Sequence, residues 1–223
     1  MRSSSYSTID IRFLDPLEVP KLADLEAAAW PASLQADEDL IRKRLGLGHL
    51  MLVAAAPEHL AAALCCVPTH ESPFDDTRFP RDFGAFSSLP HSEPILSVYV
   101  YSLCVHPDYR GENIVRNLIE TGIGIARSLG AQWVVGDGRC PSYAGAEGNG
   151  PDRVRADPVF KAAIDSWSAT GQKPPVESLI RDPTLRFYHR VVGCDFLRLC
   201  PNFLPQDTSS GGHRVIFIKN IAA

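Results

Sequence analysis

The 223-residue chain is predicted to form one α/β domain with a mixed sheet whose central strands run parallel. Two observations predict it. Apolar runs of strand length alternate along the chain with segments of helical periodicity. Residues 101–130 pass from a β-run through a Pro- and Gly-containing turn into a long amphipathic helix pattern, and the next apolar run, Trp133–Val135, follows at once. A helix between two such runs is the connection that parallel strands need.

Composition argues against two classes of protein. The chain is 45% hydrophobic and 22% charged, and its formal charge of -4 is unlike that of a nucleic-acid binder. No apolar stretch is long enough to span a membrane, and residues 1–5 lack the apolar core of a signal peptide. The six cysteines form no C-x-x-C pair, so we interpret them as buried thiols in a reducing cytosol, without a disulfide frame or a metal site.

Five elements are expected before the central strand. Helices begin where Asp precedes a helical apolar stripe, and the second one stops at Gly46. Strands are expected where short apolar runs are separated by a turn. In order, these elements are a strand at Thr8–Phe13, helices from Asp15 to Trp30 and over Asp37–Leu45, and strands at Leu50–Ala56 and Leu60–Val67.

The stretch from Pro68 to Pro94 lacks periodicity and predicts a long loop. Long loops inside a domain are usually functional or mobile. This one carries four phenylalanines, Phe74, Phe79, Phe83 and Phe86. Exposing four aromatic rings to water in a solvated loop would be unfavourable. We expect it to cover a pocket or to contact a second subunit of a homodimer.

The second half begins with the central strand, Ile95–Val105, and its following helix, which Gly130 ends. A short buried strand is expected at Trp133–Val135, followed by Gly136-Asp137-Gly138 and a Gly-rich loop, and one interpretation of Asp137 is a turn residue that caps local amides. The remaining elements are helices from Asp157 to Gly171 and from Asp182 to Gly193, and strands at Phe196–Leu199 and Val215–Ile218. A second long insertion, with Trp167, lies between residues 143 and 182.

The turn before the long helix favours binding of an anion. The first N–H groups of a helix have no partner within it and carry the positive end of its dipole. A pyrophosphate placed there is held by the backbone. The segment therefore indicates a cofactor that carries phosphate.

Two motifs resemble the GNAT superfamily of acyl-CoA N-acyltransferases, and the likeness runs from Ile9 to the C-terminus. Val105-His106-Pro107-Asp108-Tyr109-Arg110-Gly111 is similar to the V-x-P-x-x-R-G sequence that leads into the family's pyrophosphate loop. Residues 185–196 are similar to its late F-Y-x-x-x-G-F segment, with one or two extra residues near the glycine. The resemblance implies a GNAT-like sheet with splayed parallel central strands and helices on its flanks.

Three further segments resemble one GNAT subgroup, which carries G-R-x-P-G-Y, D-P-x-L-x-F and P-x-Y-L-P-x-D. The corresponding segments here are residues 136–143, 182–187 and 201–207. Members of that subgroup are sometimes fused to a nitrilase-like carbon–nitrogen hydrolase, for which the 223 residues leave no room.

The resemblance implies that acetyl-CoA or another acyl-CoA is the cofactor. It places the cofactor on Leu103, Cys104, Val105, Arg110, Gly111, Glu112, Asn113, Ile114 and Val115. Asn113 and Val115 stand where the family has small residues, and Glu112 adds negative charge. Asn can adopt the left-handed geometry of glycine, whereas Val is bulkier. Three alternatives follow: CoA binding by an altered loop, a different thioester donor such as an acyl-carrier protein, or a lost or repurposed donor site.

Acyl transfer to an amine needs a base or a water path, an oxyanion donor and a proton for the thiolate. A backbone N–H in Leu103–Val105 is the expected oxyanion donor. Tyr188 matches the tyrosine of the late family motif and is the predicted general acid. The candidates for the base are Tyr99, Tyr101, His106, Asp137 and His189.

Asp137 is the second residue that we assign to the site. It follows a buried strand at the carboxyl end of the sheet, where ligands bind in open α/β folds. Arg139 beside it is a candidate for binding a carboxylate of the acceptor.

The predicted function is acyl transfer from acyl-CoA to a small amine. The alternative is a GNAT-fold protein with another thioester donor, or with a ligand-binding or biosynthetic role without acetylation.

Overall fold

A seven-stranded sheet forms the centre of the part of the chain that the computed structural model describes, residues 9–110, 113–145 and 154–222. The strands are β1 (Asp10–Phe13), β2 (Leu50–Ala55), β3 (Leu60–Thr69), β4 (Ser97–Val105), β5 (Trp133–Arg139), β6 (Asp195–Cys200) and β7 (Arg214–Asn220). Their order in the sheet is β1-β2-β3-β4-β5-β7-β6, and β4 and β5 are the parallel pair. The mixed α/β fold expected from the sequence is confirmed. Thr8, at the start of the first expected strand, lies outside the described residues.

The helices begin at the aspartates that the sequence analysis singled out. Asp37, Asp157 and Asp182 cap their helices by accepting backbone N–H groups, and Asp15 caps a short turn that leads into the first helix. None of the described helices is long and apolar enough to cross a membrane. The helices are α1 (Val19–Ala29), α2 (Glu38–Gly46), α3 (Phe83–Phe86), α4 (Ile114–Ser128), α5 (Pro158–Thr170), α6 (Val176–Leu179) and α7 (Pro183–Phe187).

Different helices cover the two faces of the sheet. On one face, Leu22 and Leu25 of α1 and Ile41 of α2 pack in the same core cluster as Val53 and Val67. On the other face, α4 packs its buried stripe against β2 and β3. A third cluster joins α5, α6 and α7 to β6 and β7. The six cysteines are free thiols, five buried and Cys200 half-buried, as expected.

The central parallel pair separates partway along its length. β4 pairs with β5 over four positions, from Ser97 opposite Trp133 to Val100 opposite Gly136. Beyond Val100, β4 stays paired with β3 as far as Val105, and β5 stays paired with β7 as far as Arg139. A gap therefore opens between two strands that are each held on their outer side, and the expected splay is confirmed.

The strand expected to end at Val135 is longer, because β5 continues through Gly136, Asp137 and Gly138 to Arg139, and the alternative of a turn at Asp137 is wrong. The glycines provide clearance instead of a turn. A Cβ on Gly136 would lie 2.3 Å from the Phe217 ring, and one on Gly138 would lie 2.7 Å from Leu185. Asp137 is therefore held by strand pairing, which fixes its side chain more firmly than a loop would.

The expected helix from Asp182 to Gly193 is divided in two. After α7, residues Tyr188–Val192 form one turn of π-helix, and Gly193 ends it at φ 74°. A π turn accommodates an extra residue within a helix, and such turns are frequent at functional sites. The extra residues noted in the sequence near this glycine are absorbed here, and α6 is a helical turn that the sequence analysis did not predict.

The 68–94 loop is tied to the domain at several points. Its rings Phe79 and Phe86 pack on the buried Tyr99, with ring centroids 6.1 and 5.2 Å from that ring. Near the end of the loop, the Leu89 carbonyl oxygen accepts a hydrogen bond from His49 Nε2 at 2.8 Å. Two of the four phenylalanines thus belong to the core, where the sequence analysis expected rings over a pocket.

The His49 contact generates a prediction about pH. Nε2 must donate to a carbonyl, so Nδ1 accepts from the Tyr101 hydroxyl at 3.0 Å, and burial lowers the pKa of this neutral imidazole to about 4. The unfolded chain takes up the proton near pH 6.5 and the folded chain does not. The free energy of unfolding should therefore fall as the pH drops from 6.5 to 4, by about 3 kcal/mol from this residue.

Chemical denaturation at pH 7 and at pH 4.5 measures this effect. The His49→Gln variant has no imidazole to titrate, so it should lose less stability than the wild type over the same interval. Equal losses in the two proteins would show that the folded state does not suppress protonation of His49.

A second prediction concerns the clearance at β5. Gly136→Ala should destabilise the fold by roughly 1–3 kcal/mol, because the buried Phe217 ring has to move. Gly124→Ala is the matched control, because Gly124 lies on the exposed face of α4 with nothing within 4 Å of the added methyl group. The control should be neutral or gain up to about 1 kcal/mol. Urea unfolding measures both, and an unchanged midpoint for Gly136→Ala would contradict the packing described.

Candidate functional site

An open cleft of about 650 Å³ lies beside the gap between the central strands. We call it the outer cleft. Leu103, Cys104 and Val105 of β4 form one side, and residues of α7 and the π turn form the other. Its remaining lining residues include Trp30 at the end of α1, Arg110 after β4 and Val115 in the first turn of α4. The cleft thus joins the strand edge to the helix start that the sequence analysis assigned to an anion.

The backbone of β4 at Leu103–Val105 is available for hydrogen bonding along the edge that faces β5. These residues pair with Leu64, Ala63 and Ala62 of β3 on one side only. Successive residues of a strand direct their N–H groups to opposite edges, so at least one of the three amides points into the gap. An extended chain with amide groups can bond to such an edge as an added strand does.

The start of α4 differs from the sequence-based expectation at Asn113. Its φ is −71°, so the backbone there does not use the left-handed geometry that Asn was expected to provide. Its side chain makes no cap hydrogen bond to the first turn. Val115 is half-buried and lines the outer cleft. Gly111 and Glu112 lie outside the described residues.

A smaller cavity of about 230 Å³ continues from the outer cleft into the protein. We call it the inner chamber. The two cavities share Trp30, Leu103, Arg139, Thr184 and Tyr188. The deeper lining is rich in ionisable side chains from five elements, namely Glu26, Arg44, Tyr101, Asp137 and Arg214. A small molecule in the chamber would therefore meet charges of both signs.

Tyr188 stands at the junction of the two cavities. Its ring stacks on Phe217 with centroids 4.1 Å apart and planes 24° apart. Burial raises the pKa of its phenol, and the nearby Asp137 carboxyl adds to the shift. The hydroxyl therefore stays protonated at neutral pH and can act as a hydrogen-bond donor.

Asp137 belongs to a buried network of charges. Its side chain is 6% exposed and accepts a hydrogen bond from Arg214 Nε at 3.1 Å. Arg214 also pairs through Nη1 with Asp207 at 2.7 Å. Burial raises the pKa of Asp137 to about 7 in spite of the neighbouring guanidinium. A carboxyl with that pKa can take up or release a proton near neutral pH.

Asp207 is the fixed anion of this network. It accepts two hydrogen bonds from Arg139, through Nε and Nη2, each at 2.8 Å, and others from Ser209 and Ser210. These bonds and the two guanidinium groups hold the pKa of Asp207 well below its usual range. The Arg139 edge that was expected to bind a substrate carboxylate is thus occupied by Asp207.

The other candidates for the base are held in structural contacts. Tyr99 is fully buried among phenylalanines, and Tyr101 donates to His49. His106 accepts the Asp108 N–H and so caps the turn after β4. His189 bonds the Cys194 carbonyl oxygen through Nδ1 at 2.9 Å. Of the five candidates, Asp137 and Tyr101 line the inner chamber.

Sequence reasoning missed Glu26, Arg44 and Arg214. A signal for the first two was present, because Glu26 follows Leu22 by four residues on the apolar stripe of α1, and Arg44 follows Ile41 by three on that of α2. A charged residue on a buried stripe is unusual enough to mark a site. Arg214 gave no local signal, since its partner Asp137 lies 77 positions away.

Comparison with solved structures identifies the fold. The loading GNATL domain of CurA from Lyngbya majuscula superposes with a TM-score of 0.70 at 20% identity, covering 96% of this chain and 98% of that one. The GphF GNAT-like decarboxylase in complex with isobutyryl-CoA gives 0.66 at 21% identity, covering 96% and 100%. An aminoglycoside 6'-N-acetyltransferase complexed with coenzyme A gives 0.60 at 12% identity, covering 96% and 98%. The chain has the GNAT fold.

Sequence comparison adds one curated relative. The probable hydrolase YhcX of Bacillus subtilis (strain 168) is 28% identical over 207 residues. The match covers 90% of this chain but spans only about a third of the relative, 36% of its length. No protein-family model matches the chain.

The outer cleft generates a prediction about CoA. Arg110→Glu should raise the dissociation constant of CoA about ten- to a hundredfold, because it removes a cation from beside the start of α4 and adds an anion. Calorimetric titration measures it. Arg42→Glu makes the same charge change on exposed α2, where Arg42 pairs only with Glu38 at 3.3 Å among the described residues. An equal loss of affinity in both variants would contradict a local role for Arg110.

Proposed function

We propose that this protein is an N-acyltransferase that moves an acetyl or other short acyl group from acyl-CoA to a small amine. Direct attack would take place in a ternary complex. One observation carries the proposal: the outer cleft follows the free edge of β4 and meets the charged inner chamber at Tyr188. A thioester in the cleft and an amine in the chamber would therefore meet beside that tyrosine.

The described residues fit a CoA thioester. A pantetheine arm in the gap would pair its amides with the β4 edge at Leu103–Val105, which has no partner on the β5 side among the described residues. Phosphates would lie against Arg110 and the first turn of α4, where free N–H groups and the helix dipole favour an anion. The GphF decarboxylase and the aminoglycoside acetyltransferase, which share the fold, are solved with isobutyryl-CoA and coenzyme A.

Three groups of this chain supply the chemistry of transfer. Asp137, with a pKa of about 7, would accept a proton from the acceptor ammonium and leave a neutral amine. An inward N–H of Leu103–Val105 would stabilise the oxyanion that forms when the amine attacks the thioester carbon. As the C–S bond breaks, Tyr188, whose raised pKa keeps the phenol protonated, would give its proton to the departing thiolate and regain one from the nitrogen of the new amide.

A second candidate function is decarboxylation of a carboxyacyl thioester, with CoA or a carrier protein as the thiol. The observation in its favour is the overlap with the GphF GNAT-like decarboxylase, at a TM-score of 0.66. In that reaction the bond between the α-carbon and the carboxylate breaks, and carbon dioxide leaves. The electron pair passes to the thioester carbonyl as an enolate, and a proton then adds at the α-carbon.

Two variants test the proposed roles. Tyr188→Phe keeps the stacked ring and should lower kcat about a hundredfold with little change in KM. With saturating amine, wild-type kcat should rise as the pH passes through about 7, because Asp137 must be deprotonated to act as a base. Asp137→Asn should be slow and should lack that rise. The measurement is release of free thiol from acetyl-CoA across pH 5.5–9.

The same assay separates the two candidate functions. Acyl transfer needs an amine and releases free CoA thiol. Decarboxylation of malonyl-CoA needs no amine and releases carbon dioxide with the thioester intact. Carbon dioxide release without amine-dependent thiol release would overturn the acyltransferase proposal.

A further inference from the structure

Arg44 is a buried cation whose guanidinium lacks a carboxylate partner among the described residues. Its side chain comes from α2, is 6% exposed and lines the inner chamber. Nε donates to the Ser87 carbonyl oxygen at 3.2 Å, and the guanidinium lies 4.6 Å from the Tyr101 ring centroid. Neither contact neutralises the charge. Neither Nη group donates a hydrogen bond to another described residue, and burying such a charge is costly unless an anion pairs with it.

Glu26 is the corresponding buried acid, and burial raises the pKa of its carboxyl. It is 4% exposed and lines the same chamber. Oε1 accepts from Ser102 Oγ at 2.8 Å, and Oε2 accepts from Ala36 N at 3.4 Å. The Cys104 thiol also hydrogen-bonds this carboxyl. All three donors are neutral, and Glu26 forms no ion pair within 4.0 Å in the described part of the chain. Its bond to Ser102 places it one residue from the Leu103–Val105 edge.

A buried guanidinium and a buried carboxyl therefore line one small cavity without forming an ion pair with each other. A ligand carboxylate would pair with the guanidinium, and a ligand ammonium group beside Glu26 would favour the ionised form of its carboxyl. The cavity limits its size: a 150 Å³ cavity holds benzene, so about 230 Å³ holds about nine non-hydrogen atoms.

We infer that the acceptor is a small amino acid, whose carboxylate binds Arg44 and whose amine lies between Glu26 and the β4 edge. This inference rests on the proposed function and names its substrate class. The carboxylate belongs to the acceptor and not to the acyl group. An acyl group would bring no cation to Glu26, and neither Arg44 nor Glu26 lines the outer cleft that the thioester would occupy.

Matched acceptors test the inference. Leucine and leucinamide have nearly the same size and differ in the negative charge, as do β-alanine and β-alaninamide. With acetyl-CoA, wild-type kcat/KM should favour each acid over its amide about ten- to a hundredfold. Arg44→Gln should bring the ratio of acid to amide kcat/KM close to one, and Arg44→Lys should retain part of the preference for the acid. Glu26→Gln should lower kcat/KM for the acid and the amide alike. Arg42→Gln, on the exposed side of the same helix, should leave the ratio unchanged.

The outcomes distinguish this inference from the proposed function. Amine-dependent thiol release without preference for the acids would overturn the amino-acid assignment and leave the acyltransferase proposal standing. If no amine reacts, calorimetric titration of leucine into the CoA-loaded protein decides: binding lost in Arg44→Gln supports the carboxylate site, and binding absent or unchanged in that variant overturns it. Arg44-dependent discrimination of malonyl-CoA from acetyl-CoA would move the carboxylate to the donor and overturn the inference.

Discussion

The end of strand pairing between Val100 and Gly136 determines the rest of the site. Each central strand is held by its outer neighbour, so the gap between them persists in the folded chain. The gap exposes a strand edge in the middle of a sheet, where neighbouring strands usually cover both edges. Phe217 packs over Gly136, the last residue of β5 that pairs with β4, and Tyr188 stacks on Phe217. The positions of both rings therefore depend on the place where strand pairing ends.

Buried charge is the second constraint on this structure. One set of buried charges consists of two carboxyl groups and two guanidinium groups that are linked by ion pairs, namely Asp137, Arg214, Asp207 and Arg139. Glu26 and Arg44 remain apart in the same chamber. The first set explains how a carboxyl can be buried with a pKa near neutrality, and the second explains why the chamber should attract a ligand with two charges.

The sequence predicted those parts of the fold that local signals determine. Asp–Pro helix starts, Gly stops and the crossover after β4 all depend on residues close together in the chain, and the structure confirms them. Gly136 and Gly138 were misinterpreted because a glycine that makes room for a ring looks like a turn in sequence. Arg214 needed tertiary contacts to be recognised. The roles of Tyr188 and Asp137 remain predictions.

A crystal structure of the protein with acetyl-CoA would test the central claim most directly. The account predicts a pantetheine arm paired with Leu103–Val105, its thioester beside the Tyr188 hydroxyl and its pyrophosphate at the first turn of α4. Density for CoA elsewhere on the surface, with the gap between β4 and β5 closed or empty, would contradict it.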